Sequence, residues 1–264
     1  GPGLVLRVIV SEVPNIDILG LPSAVHQSLE LRDGLVLVTG ATGSGKSTSL
    51  AAMIDKINRS RAENIITVED PIEFTHKNIK SIITQREVGK DTDTFASALK
   101  GALRQDPDII LMGELRDYET ISMALTAAET GHLVFGTIHA SSAWQTFGRI
   151  YDLFPETERP QIRKLLAYNL RAIVYQKLLP TLHEDVARIP ALEILLGTPI
   201  VTKYILEARE GELLEIIKKS AEEGMVDLNT ALFNLVESEW VSLKTAMDAT
   251  PKPEDLKMKI KGIA

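Results

Sequence analysis

Cysteine is absent from the 264 residues, which removes disulfides, thiolate zinc ligation and thiol catalysis together. No apolar run reaches the roughly eighteen residues that a membrane helix needs. The first residues also lack the charged-then-apolar layout of a secretory leader. Both absences, with the missing cysteine, lead to the expectation of a cytoplasmic protein. Aromatics are scarce at 5%, and positive charge is outweighed, with a formal net charge of -7. A protein that tracks nucleic acid wants basic grooves and stacking platforms, so this balance counts against one. What is plentiful is ordinary: 44% hydrophobic and 25% charged residues suit a globular chain with one large core or two smaller ones.

The opening Gly1-Pro2-Gly3 reads as a scar of tag cleavage, and Val5 to Val10 as a strand with no partner nearby. Residues 1–33 are therefore expected to be the remnant of an N-terminal domain and its linker, with a short helix from Ala24 to Leu31. Beyond Gly34 the pattern becomes strand and helix in turn. Leu35 to Thr39 is a continuous apolar run, as in a strand buried on both faces. A helix is predicted from Lys46 to about Asn58, then strands at Ile65–Val68 and Ile82–Ile83. Thr94–Arg104 follows as helix, Ile109–Met112 as strand, Tyr118–Glu129 as helix and Leu133–Thr137 as strand. Such alternation predicts an α/β fold with a mostly parallel sheet. Ala172–Leu178 and Ile189–Leu196 either extend that sheet or form a hairpin, and Pro199–Ile263 has helical spacing throughout. The expected division is 1–33, a core at 34–196, and a helical C-terminal subdomain at 197–264.

Gly40-Ala41-Thr42-Gly43-Ser44-Gly45-Lys46-Ser47 matches the phosphate-binding loop G-x-x-x-x-G-K-[ST] in full, between a predicted strand and a predicted helix. Average residue usage puts a chance match in a chain of this length at roughly 1%, so coincidence is the weaker reading. Residues Thr42, Gly43, Ser44, Gly45, Lys46, Ser47 and Thr48 are the expected nucleotide-binding set, with ATP as ligand. Glycines let backbone N–H groups turn inward around phosphates, Lys46 reaches the β and γ phosphates, and the Ser47 hydroxyl ligates Mg2+. Ile109 to Met112 leads through Gly113 to Glu114, placing a carboxylate at a strand end where it can stand beside Mg2+. Glu69, Asp70 and Glu73 follow another strand, and one of them is expected to orient or deprotonate the attacking water. A solvated turn around Pro71 is the alternative. His132 and His139 flank a strand at odd spacing, which sends them to opposite faces and makes them a poor metal pair. His139 stands at the carboxyl end, where a γ-phosphate would lie; His132 reads as structural.

These four segments, in this order, resemble the Walker A, Asp box, Walker B and His box of the secretion and pilus motor ATPases, a RecA-like hexameric superfamily. Gln85-Arg86-Glu87-Val88, Ala102 to Asp108, Ala124 to His132 and Leu170-Arg171-Ala172-Ile173 look more narrowly like the type IV pilus retraction ATPases of the PilT and PilU types, over nearly the whole chain. The resemblance implies a RecA-like core and Mg2+-dependent ATP hydrolysis by a homohexamer at the cytoplasmic face of the inner membrane. The implied partners are a membrane platform protein of the pilus and a paralogous retraction ATPase; no nucleic acid is expected. Matched motif by motif, Glu73 corresponds to the catalytic glutamate, Glu114 to the Mg2+-associated one and His139 to the phosphate-sensing residue. Arg104 and Arg116 fall at motif arginines without an assigned role. Zero cysteine excludes the four-cysteine zinc module typical of extension and type II secretion motors. One departure is plain: the family's A-I-R-N-L-I-R motif would fall at Ile200 to Leu206, where both arginines are missing. A nucleic-acid translocase and a non-hydrolysing, nucleotide-gated accessory subunit are the other readings. With residues 1–33 read as a remnant, the chain is expected to bind nucleotide, to hydrolyse it weakly and to be monomeric in solution.

Overall fold

The computed structural model describes residues 12–262; the strand expected at Val5–Val10 lies outside them. In chain order the elements are α1 (Ser23–Ser28), β1 (Gly34–Thr39), α2 (Lys46–Ser60), β2 (Asn64–Glu69), β3 (Ile82–Glu87), α3 (Phe95–Ala102), β4 (Ile109–Met112), α4 (Tyr118–Glu129) and β5 (Leu133–Ile138). Then come α5 (Thr146–Tyr151), α6 (Arg159–Asn169), β6 (Leu170–Pro180), β7 (Arg188–Leu196), α7 (Pro199–Leu206), α8 (Leu213–Lys219), α9 (Leu228–Glu237), α10 (Leu243–Ala249) and α11 (Pro253–Ile260).

One 7-stranded sheet carries them in the order β3-β2-β4-β5-β1-β6-β7. Every pairing is parallel except β6 with β7. The two candidate late strands thus do both things open to them: they form a hairpin and they extend the sheet. Central strands β1, β4 and β5 are buried along their whole length, which explains why they read as unbroken apolar runs instead of alternating ones. Helices cover both faces. Val36, Val38, Ile65 and Phe135 pack with α1, α2 and the segment from Ile16. Leu35, Leu37, Val68 and Val134 face the larger core built from α3 to α6 and the C-terminal helices. The parallel order has a consequence for chemistry: β2, β4, β5 and β1 are neighbours, so the four motif segments that follow them emerge side by side along one carboxyl edge, where ligands sit in open α/β sheets.

Candidate nucleotide site at the carboxyl edge of the sheet

Thr39 leads into the glycine-rich loop. Gly43 and Gly45 have φ of 76° and 87°, a left-handed backbone that glycine adopts without steric cost. A Cβ on Gly40 would stand 2.3 Å from the Gln176 carbonyl oxygen, so the loop can lie against β6 only with hydrogen there. Gly45 is the N-cap of α2 and no side chain caps that end. The first-turn amides of a fifteen-residue helix are therefore left for a ligand, in the orientation that favours an anion. Lys46 Nζ donates to the carbonyls of Gly40 and Ala41, each at 3.0 Å. Burial lowers its pKa, while the charges of Glu114 and Glu73 oppose that shift.

The other motif segments are tied together at the strand ends. Gly113 N–H donates to Val68 O at 2.8 Å, Leu115 N–H to Thr137 O at 2.8 Å, and Thr137 Oγ1 to Gly113 O at 2.5 Å. A Cβ on Gly113 would lie 3.2 Å from Glu69 Cα, so glycine before the acid lets β4 and β2 end in close contact. Glu114 Oε1 lies 3.4 Å from His139 Nε2, and Arg116 reaches Glu114 at 3.7 Å and Asp70 at 3.4 Å. The Arg116 guanidinium also stands 5.4 Å over the Phe95 ring centroid. Glu69 accepts from Thr67 Oγ1 at 2.7 Å and Gln85 Nε2 at 3.1 Å. Burial raises the Glu69 pKa, against the lowering effect of these donors and of the Glu73 N–H.

A cavity of about 390 Å³ brings Lys46, Ser47, Glu73, Glu114 and His139 to one wall system, with Thr42, Gly43, Gly45 and Thr48 on the loop side. Ser44 is the one expected binder off that wall: its hydroxyl is buried without a partner among the described residues, and its carbonyl is held by Gln176. His132 lies at the far end of β5, its Nδ1 2.9 Å from Ala127 O, where it closes the end of α4. Arg104 is exposed beyond α3, apart from the cavity. The sequence assigns no role to two glutamines, although Gln85 stands in the Gln85-Arg86-Glu87-Val88 motif. Gln176 receives Ser49 Oγ at 2.8 Å and donates to Ser44 O at 2.7 Å, bolting the loop to β6; Gln85 does similar work at β2. The legible signal was an amide inside or beside an apolar strand, a position that demands partners.

The site fits a nucleotide: uncapped helix amides, left-handed glycines and a desolvated lysine are the donor set for phosphates. Among the described residues no cluster of three or more His, Asp or Glu could hold a metal by itself. Mg2+ at Ser47 and Glu114 would thus lean on phosphate oxygens, as that ion usually does.

The model of the type II/IV secretion system protein family matches residues 1–228. The type IV pilus retraction ATPase PilT of Pseudomonas aeruginosa is 44% identical over 255 residues, covering 97% of this chain and 74% of that protein. The type IV pilus ATPase PilU of the same organism is 42% identical over 259 residues, covering 98% and 68%. A crystal structure of the pilus retraction motor PilT with bound ADP superposes with a TM-score of 0.89 at 43% identity, over 95% of this chain and 71% of that one.

Proposed function

The chain belongs to the type II/IV secretion system protein family, and on that premise we propose that it is a hexameric motor subunit driving type IV pilus retraction. It is a nucleotide-binding ATPase with a RecA-like α/β core. The observation that carries the reading is the convergence of loop, Glu73, Glu114 and His139 on one cavity at the carboxyl edge.

In the proposed mechanism the loop amides and Lys46 hold the phosphate chain, and the charged ammonium compensates charge developing toward the β and γ oxygens. Ser47 and Glu114, with phosphate oxygens, would hold Mg2+, which would supply further charge neutralisation. Glu73 orients the attacking water and takes its proton. His139, 3.4 Å from Glu114, contacts the γ-phosphate and reports its departure to the segment after β5. We assign the core to residues 34–196 and the helical subdomain to 197–264. The further parts of the reading are a homohexamer on the cytoplasmic face of the inner membrane, working against a pilus platform protein and beside a paralogous motor. Among the described residues no helix is long and apolar enough to cross a membrane, which suits attachment through such a partner.

The test is steady-state ATP hydrolysis with Mg2+ alongside nucleotide binding and light scattering. Glu73→Ala is expected to keep nucleotide affinity and lose turnover by about a hundredfold or more, whereas Lys46→Ala should lose affinity as well. A parent that binds ATP, assembles and never turns it over would move the reading to a nucleotide-gated accessory subunit.

A further inference from the structure

Gln85 belongs to a motif, Gln85-Arg86-Glu87-Val88, that the mechanism above leaves without a task. It lies on β3, the edge strand, opposite Thr67 of β2 in parallel register. Residues two apart on a strand share a face, so Gln85 and Glu87 stand beside Thr67 and Glu69. The segment from Asp70 to Lys77, which carries Glu73, passes over that face with no helix or strand of its own, only an isolated bridge at Phe74. Apart from that bridge, the hydrogen bonds that hold it among the described residues come from side chains.

Among the described residues, Gln85 is the one that bonds the segment at two places. Its Oε1 accepts the His76 N–H at 2.8 Å, and its Nε2 donates to Phe74 O at 2.9 Å and to Glu69 Oε1 at 3.1 Å. Glu69 in turn accepts the Glu73 N–H, and Glu87 accepts the Ile72 N–H at 3.3 Å. Both ends of one amide are thus used to pin the residues on either side of position 75, and the same amide steadies the carboxylate that receives Glu73's own N–H. The segment's far end is fixed separately by Asn58 of α2, which donates to Lys77 O at 2.7 Å.

We propose that Gln85 is a positioning residue for hydrolysis: it clamps the 70–77 segment to the sheet edge so that Glu73 is held at the reacting phosphate. This rests on the assignment of Glu73 made above. It predicts a split that general loosening of the fold would not give, because the phosphate-binding loop is at the end of β1, with β4 and β5 between it and β2. The experiment compares Gln85→Ala, Gln85→Glu and Glu73→Ala with the parent full chain, reading kcat, nucleotide affinity by direct titration, and backbone amide exchange over residues 72–76. Gln85→Ala is expected to lower kcat roughly ten- to a hundredfold, as misplacement of a catalytic group by about an ångström does. Affinity should stay within about twofold of the parent, since no loop contact is lost. Exchange at His76 should accelerate. Gln85→Glu, which keeps the acceptor for His76 but loses both donor bonds, should not restore kcat. Parental kcat in Gln85→Ala, or kcat and affinity falling together, overturns the proposal while leaving Glu73's assignment intact. Parental kcat in Glu73→Ala would remove the premise itself.

Discussion

Gln176 is 3% exposed and sits in the run Ala172-Ile173-Val174-Tyr175-Gln176 of β6. Removing its amide would leave the Ser44 carbonyl and the Ser49 hydroxyl without their partner, and an unpaired buried polar group costs about 1–3 kcal/mol. Gln176→Ala should therefore lower unfolding stability by about that amount and free the loop from β6, weakening nucleotide affinity more than it lowers kcat. Urea unfolding and titration with a fluorescent nucleotide check this; unchanged affinity would mean that the loop keeps its shape without the bolt. At this scale the sequence was half legible. Lys46, Ser47, Glu114 and His139 stand in or beside short local signals, whereas the residues alone left Glu69, Asp70 and Glu73 open and the family resemblance singled out Glu73. Gln176 is not marked in that way, since its partners lie far off in the chain, as with Ser49 at a separation of 127 residues, and the bonds of Gln85 to His76, Phe74 and Glu69 form only once β3 pairs with β2.

Elements show the same boundary between local and distant causes. Strand Ile109–Met112 and helix Tyr118–Glu129 have the bounds that periodicity predicts, because the apolar run and the Asp117 cap mark both in the chain itself; Asp117 accepts the Thr120 N–H at 2.8 Å. Strand β3 was foreseen only at Ile82–Ile83, yet it runs to Glu87. Thr84 to Glu87 are polar, and only pairing with β2 and contact with the 70–77 segment make them strand. β6 begins at Leu170, before the expected Ala172, where pairing with β1 shifts register between Leu35 and Val36. The C-terminal layer is helical as expected, but Val226 bridges back to Ile194. Glu193 of β7 joins these parts: 3% exposed, it accepts the Ala143 N–H at 2.7 Å and those of Leu228 and Trp144. It thereby ties the segment following His139 to the start of α9. Burial raises its pKa above the ordinary carboxylate range, against the lowering effect of those amides. A raised carboxyl holds its proton in the folded state to higher pH than in the unfolded chain, so its stabilising contribution is present at low pH and is lost as pH rises through the folded pKa. Glu193→Gln should remove that loss and flatten the fall in unfolding stability that sets in as pH rises above the ordinary glutamate pKa of about 4.3. Denaturation midpoints measured from that pH upward decide it, and a slope identical to the parent's would show that Glu193 is not the group responsible.

For the whole molecule, the arrangement of the carboxyl edge matters more than any one contact. His139 and Arg116 side chains remain 45% and 52% exposed there, so the chain closes the phosphate side of the cavity and leaves its charged rim at the surface. In the proposed hexamer a neighbouring subunit would cover that rim, and exclusion of water would strengthen every charge interaction inside. Turnover should then belong to the ring and not to the protomer. Parent chain mixed with increasing shares of Glu73→Ala, which binds nucleotide but is expected not to turn it over, distinguishes the cases at constant total concentration. If hydrolysis passes from subunit to subunit, each inactive copy stalls its neighbours and activity falls faster than the parent's share of the mixture. A strictly proportional decline, with light scattering showing mixed assemblies, would mean that each site works alone and that the ring serves some purpose other than coordinating hydrolysis.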